Sequence, residues 1–270
     1  MRILRTKAEL RAALEPHWVD SEIGLVPTMG ALHAGHEALF EAARAECDAV
    51  VASIFVNPAQ FAAGEDFERY PRRQEEDVKV AEDAGVDLLF VPSADEIYPA
   101  GFGTWVDVEG LSDRLEGAAR PGHFRGVATV CLKLFNLVRP KRAYFGQKDA
   151  QQAAVLEQLV RDLDLDVEIR VLPTVREEDG LAASSRNAYL TADGRDSARA
   201  LPRALFAGEE AYRVGRDPVE AAHAVLAQEP GLGPEYLELA RFNGRLHLVA
   251  AVRAGGTRLI DNVLLEGDLA

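Results

Sequence analysis

The chain has 270 residues, 48% of them hydrophobic, which excludes a disordered polypeptide and leaves room for one large domain or two smaller ones. A net charge of −14 and a pI near 4.9 argue against tRNA or DNA as the main partner but not against a locally positive nucleotide pocket. No run of about 18 apolar residues occurs and no apolar stretch follows Met1–Lys7, so neither a membrane span nor a signal peptide is expected, and a cytoplasmic protein is.

The first strong pattern is an apolar run, Ile23–Val26, that predicts a buried strand. It leads into Pro27-Thr28-Met29-Gly30-Ala31-Leu32-His33-Ala34-Gly35-His36 and then into helical spacing over Gly35–Glu46. Residues three apart on a helix share a face, so His33 and His36 can address one ligand. Unpaired N–H groups at a helix start attract anions, phosphate above all. The strand, loop and helix start together predict a nucleotide triphosphate site with protonatable donors beside it. The His-x-Gly-His pattern resembles the signature of nucleotidyltransferases and class I aminoacyl-tRNA synthetases, which hold ATP and act at its α-phosphate.

A second strand is predicted over Val50–Val56, with Asn57 and Gln60 just past its carboxyl end. Their carboxamides can both donate and accept, which suits a substrate with hydroxyl and carboxylate groups; Asn57-Pro58 can equally be a turn initiator. The charged run Glu65–Lys79 reads as a solvated helix face, with Glu76 or Asp77 as alternative Mg²⁺ ligands. Further helices are expected over Gln74–Ala84, Ala128–Val138 and Ala150–Asp162, and strands over Leu88–Val91, Ala143–Phe145 and Val167–Leu172. Before the third helix, Pro121-Gly122-His123-Phe124-Arg125-Gly126 can close over an anion or simply turn. Cys47 and Cys131 have no metal-ligand spacing and read as small buried hydrophobes of a reduced, intracellular chain.

Tyr144-Phe145-Gly146-Gln147-Lys148-Asp149 again runs from strand end to helix start. Gly146 admits close backbone approach, Lys148 can reach phosphate, and Asp149 can cap the helix or accept from a ribose hydroxyl. Gln152 follows one turn later. Strands alternating with helices to about residue 172 predict a doubly wound parallel sheet with ligands at the strands' carboxyl ends. After Pro173 the pattern changes. A long helix over Asp193–Arg213, a second over Val219–Ala227, and strands over Tyr236–Phe242, His247–Arg253 and Thr257–Leu264 predict a smaller α+β domain. At the junction, Leu181–Asn187 offers two hydroxyls and a guanidinium that can clamp a triphosphate and close on substrate.

Six stretches taken in order resemble the pantoate–β-alanine ligase family: Pro27–His36, Ser53–Phe61, Arg120–Val127, Phe145–Gln152, Asp179–Asn187 and Arg258–Asn262. The resemblance implies α/β architecture, with a Rossmann-like ATP- and pantoate-binding domain over 1–173 and a C-terminal α+β lid domain over 174–270, in a homodimer. It implies ATP- and Mg²⁺-dependent joining of (R)-pantoate to β-alanine through pantoyl adenylate, with AMP and pyrophosphate released. It makes His36 the proton donor, with His33 and Lys148 beside it on the phosphates. Pro27, Met29, Gly30, Ala31, Leu32, His33, Ala34, Gly35 and His36 line the ATP side, with Gly146, Gln147, Lys148, Asp149, Val175, Ala183, Ser184, Ser185 and Arg186. Asn57, Gln60 and Gln152 hold pantoate and β-alanine, and Glu76, Asp77 and Gln152 stand near Mg²⁺. Two positions depart from the family pattern: Gln147 replaces a usual glutamate, and Ala183 a usual serine or methionine.

A simple nucleotidyltransferase would share the histidine signature without needing the Asn57, Gln60 and Gln152 cluster. A non-catalytic nucleotide-binding scaffold would leave His36 dispensable.

Overall fold

Strands buried on both faces carry unbroken apolar runs rather than alternation, and Leu25-Val26 and Val50-Val51-Ala52 are fully buried here. In the computed structural model, which describes residues 1–62 and 64–269, they lie at the centre of a six-stranded sheet of order β1-β4-β3-β2-β5-β6. The strands are β1 (Arg2–Leu4), β2 (Ile23–Thr28), β3 (Ala49–Ile54), β4 (Leu88–Phe90), β5 (Arg142–Gly146) and β6 (Glu168–Leu172). The β1–β4, β4–β3, β3–β2 and β2–β5 pairs are parallel, and Leu25 stands opposite Val51 on one side and Ala143 on the other. Strand order reverses about β2, so the carboxyl ends of β2 and β5 flank the crevice that such sheets use for ligands.

The connecting helices are α1 (Lys7–Leu14), α2 (Ala34–Glu46), α3 (Gln74–Asp83), the short α4 (Ala94–Ile97) and α5 (Glu116–Ala119), α6 (His123–Val138) and α7 (Ala150–Asp162). Leu39, Phe40 and Ala43 of α2 pack on Val26, Val50, Ala52 and Ile54, with Ala81 of α3 in the same cluster. The expected parallel sheet is present, with differences at its margins. β1 has three residues and no alternation to betray it. α1 is announced by a capping box, Thr6 with Glu9, a signal that apolar periodicity does not carry. α6 starts at His123 rather than Ala128, because Gly122 takes a left-handed φ of 83° and lets the helix begin there.

The second unit holds an antiparallel sheet, β7 (Leu232–Phe242), β8 (Arg245–Ala254) and β9 (Thr257–Glu266), and helices α8 (Ala192–Ala198), α9 (Ala200–Arg213) and α10 (Pro218–Leu226). Its core joins Ala204, Leu205, Ala222 and Leu226 to Leu248, Val252 and Leu259. The single helix expected over Asp193–Arg213 is two. Pro202 has no N–H to give the carbonyl of Ala198 and its ring would strike that carbonyl, so the chain re-starts at Ala200 with proline in the first turn. By packing, the chain divides into Met1–Phe145 with Gln151–Leu172, and Gly146–Ala150 with Pro173–Leu269. Among the described residues no helix is long and apolar enough to cross a membrane.

Candidate active site

In the first unit β2 ends at Thr28, and the loop beyond it is set by two left-handed residues, Gly30 at φ 83° and Ala31 at φ 51°. Asp77 holds it there. Its buried carboxylate accepts from the backbone N–H of Ala31 at 2.9 Å and of Leu32 at 2.8 Å. Only glycine suits position 30: a Cβ would lie 2.9 Å from Asp77 Oδ2, besides the positive φ. The loop delivers His33 and His36 to the start of α2, where they form the helix cap themselves. His33 Nδ1 accepts from Gly35 N–H at 3.2 Å, and His36 Nδ1 accepts from His33 N–H at 3.3 Å. The rings lie 4.1 Å apart, centre to centre. The two imidazoles thus lie side by side, as their spacing predicts. Of the first N–H groups of α2, that of Gly35 is engaged by His33, and the loop N–H groups of Ala31, Leu32 and His33 are engaged as well.

The turn after β3 brings in the carboxamides. Asn57 caps it, with Oδ1 accepting from Ala59 N–H at 3.2 Å and from the Tyr98 hydroxyl at 2.9 Å. Its Nδ2 donates to Gly126 O and Gln60 Oε1, both at 3.1 Å. Two donors and two acceptors exhaust an asparagine amide, so Asn57 places Gln60 rather than offering its own amide to a substrate. Burial pushes the Tyr98 phenol up to about 12, so it remains a donor to Asn57. Gln60 itself gives Nε2 to Met29 Sδ at 2.9 Å and keeps a second amide proton and a second oxygen lone pair.

The Gln60 backbone is gripped from the motif whose role the sequence left open. His123 Nδ1 lies 2.8 Å from Gln60 O and Arg120 Nη2 3.3 Å from it, while Arg120 Nη1 meets His123 Nε2 at 3.1 Å. A carbonyl only accepts and a guanidinium only donates, so His123 is neutral with its proton on Nδ1. Burial, and then the Arg120 charge, pushes this histidine down to about 4. Glu65 closes the chain with two bonds to Arg120, at 2.8 and 2.9 Å. Burial works against its charge, but the Arg120 guanidinium holds its carboxyl below the usual range. The expected solvated face at Glu65 is therefore a half-buried ion pair. Gly126 completes the turn's seat, since a Cβ there would stand 2.3 Å from Ala59 O.

Pro27 is half-buried on β2 and Gln152 half-buried in the first turn of α7. Its neighbour Gln151, buried and not expected, accepts from Glu116 N–H at 3.1 Å and donates to the carbonyls of Leu111 and Arg114 at 2.7 and 2.8 Å. Glu76 is exposed beside Arg73 at 3.5 Å, and both oxygens of Asp77 serve the loop. Among the described residues no group of three or more His, Cys, Asp or Glu is placed to hold a metal ion.

In the second unit, Gln147–Asp149 form a short 3₁₀ turn entered from Gly146. Lys148 is partly buried, with Nζ 3.4 Å from Asp149 Oδ1. Val175 O accepts from Ala183 N–H at 2.9 Å, Ser184 caps the turn Ser185–Tyr189 by accepting from Arg186 N–H at 3.3 Å, and Asn187 Nδ2 donates to Glu177 and to Ala182 O. Ala183 is buried, so its departure from the family pattern places a small side chain against neighbours.

A family model for pantoate-beta-alanine ligase matches residues 2–264. The chain belongs to the pantoate–β-alanine ligase family. Curated pantothenate synthetases of Chloroflexus aurantiacus and Acidobacterium capsulatum are 53% and 51% identical to it, over 99% and 98% of this chain and 99% and 97% of theirs. The crystal structure of pantothenate synthetase from Thermus thermophilus superposes with a TM-score of 0.94 at 48% identity, covering 99% of this chain and 100% of that one. A pantoate-beta-alanine ligase from Francisella tularensis, crystallised with beta-gamma ATP and beta-alanine, superposes at 0.85 with 35% identity and 99% coverage of both chains. As a member of this family the chain is an ATP-dependent ligase that joins pantoate to β-alanine through pantoyl adenylate.

Proposed function

We propose that His33 and His36 present neutral Nε2–H donors to the phosphates of ATP while pantoate, held by Gln60 and Gln152, is adenylated. The observation that carries this reading is the engagement of both Nδ1 atoms by backbone N–H groups, at 3.2 and 3.3 Å. A carboxylate is a poor electrophile. Its attack on the α-phosphorus neutralises it and releases pyrophosphate. The β-alanine amine then attacks the acyl carbon and AMP leaves. Donors fixed in advance where charge grows on phosphoryl oxygens lower the barrier without reorganising. Pro27 and Met29 line the adenylate side, and Gln60 also meets β-alanine.

Gly146, Gln147, Lys148 and Asp149, with Val175 and Ala183–Arg186, are likewise proposed to bind ATP, the Gln147 and Ala183 positions through backbone. Residues 1–173 are proposed as the ATP- and pantoate-binding domain and 174–270 as the lid domain; the separate cores of the two units support a division near Pro173. Mg²⁺ is proposed to enter as the ATP complex, offsetting phosphate charge, since this ion is usually held by substrate phosphates with one or two carboxylates and retained water. A homodimer, which follows the family resemblance, and a cytoplasmic location, which follows the sequence reading, are part of the same proposal.

The test is pyrophosphate–ATP exchange with pantoate and Mg²⁺ but without β-alanine. Exchange that depends on pantoate and falls with His36→Ala supports the assignment. Unchanged exchange in that variant removes His36 from the chemistry.

A further inference from the structure

Asn262 ends the Arg258–Asn262 stretch on β9 and is 3% exposed. Its Nδ2 donates to two successive carbonyls, Gln147 O at 2.8 Å and Lys148 O at 3.0 Å. Carbonyls only accept, so the nitrogen end of the amide must face them. Its Oδ1 then accepts, from His247 Nδ1 at 3.3 Å and more weakly from Gln147 Nε2 at 3.4 Å. His247 is itself buried, and this bond puts its proton on Nδ1. The strand beneath is pinned as well. Asp261 accepts from Asn262 N–H at 2.8 Å and is paired with Arg176 at 2.7 and 3.2 Å.

The clamped segment draws its side-chain support from Asn262. It is a three-residue 3₁₀ turn with no side-chain cap that leads directly into α7, and the hydrogen-bond geometry of such a turn is poorer than that of the helix it opens. A buried amide that spends both protons on neighbouring peptide planes sets those planes. The plane at 148 sets where the Lys148 side chain leaves the backbone.

We propose that Asn262, seated by His247, is a positioning residue that fixes the direction in which Lys148 is presented to the nucleotide. This rests on the reading of Lys148 as a phosphate-binding cation. An ammonium on a long stem is strongly position-dependent in effect, since a misplacement of about 1 Å can cost on the order of a hundredfold in rate.

Pantoate-dependent pyrophosphate–ATP exchange, with KM measured separately for ATP and pantoate, tests it in the full-length protein. Asn262→Ala is expected to lower kcat/KM for ATP about tenfold or more while KM for pantoate stays within about twofold. Asn262→Asp, which turns an oxygen toward two carbonyl oxygens, is expected to do no better. Combined with Lys148→Ala, Asn262→Ala is expected to add less than about twofold, because residues that act through one another are not additive. Equal losses for both substrates, or full additivity, overturn the proposal. Should Asn262→Ala not fold, His247→Ala unseats the amide and is expected to give the same split at smaller size; no split overturns it. If Lys148→Ala exchanges at the full rate, the reading of Lys148 fails and the inference goes with it.

Discussion

His36 accepts the backbone N–H of His33 on its Nδ1 at 3.3 Å, so the one atom that closes the helix cap also dictates where the imidazole carries its proton. With Nδ1 accepting, the neutral ring holds hydrogen on Nε2. A glutamine amide can imitate an Nε2–H donor, and an alanine cannot. His36→Ala is expected to lower kcat about 100- to 1,000-fold, and His36→Gln to recover a measurable part of it. Steady-state kinetics of both variants, with thermal unfolding as the control for the cap, checks this.

Asp77 is expected to matter for the loop and not for the metal. Asp77→Ala leaves the N–H groups of Ala31 and Leu32 without their buried partner, a loss of about 2–3 kcal/mol for charge-assisted bonds. Urea denaturation should show that loss, while the Mg²⁺ concentration for half-maximal activity stays within about twofold. A large rise in Mg²⁺ requirement at unchanged stability would reverse the assignment.

His123 gives stability a defined pH window. Its folded value of about 4 lies below the ordinary 6.5, so on acidification the unfolded chain takes up the proton first. The stability owed to the neutral ring is complete above about pH 6.5 and is lost progressively as pH falls toward 4. The shift corresponds to on the order of 3 kcal/mol. Arg120 opposes the charged ring, and Glu116 and Glu65 favour it. His123→Asn keeps a donor near the Nδ1 position, facing Gln60 O, and removes the titration. Its stability should be nearly flat between pH 4 and 6.5, apart from the carboxylates both proteins share.

Gly126→Ala would force a methyl to within 2.3 Å of Ala59 O. The turn carrying Gln60 has to move, at a cost of about 1–3 kcal/mol. KM for pantoate is expected to rise about tenfold or more with KM for ATP little changed. Equal changes in both constants would detach this turn from pantoate.

The parallel sheet and the histidine pair are legible in the sequence because each rests on local signals: unbroken apolar runs, and two imidazoles three positions apart. What stays hidden involves partners far along the chain. Nothing near Asp77 says that its acceptors face Ala31 and Leu32, 46 and 45 positions away. The same holds for Glu65 with Arg120, 55 positions apart, which a local reading assigns to solvent. Spacing sets Asn57 beside Gln60 but suggests a ligand for it. Only the geometry shows its amide consumed by Tyr98, Gly126, Ala59 and Gln60. Pro202 is a local signal passed over, a residue that breaks a helix in a span read as one.

Asp77 also acts as a resident anion. Consecutive N–H groups on left-handed backbone make a concavity that binds negative charge, and at Ala31 and Leu32 that concavity is filled by the protein's own carboxylate. A loop satisfied in this way has no folding left to do when substrate arrives. Its ordering entropy is met during folding of the chain rather than at each encounter with ATP. The histidines at its end are therefore held in place by the folded loop, and on the proposed reading nucleotide capture does not wait for this loop to order.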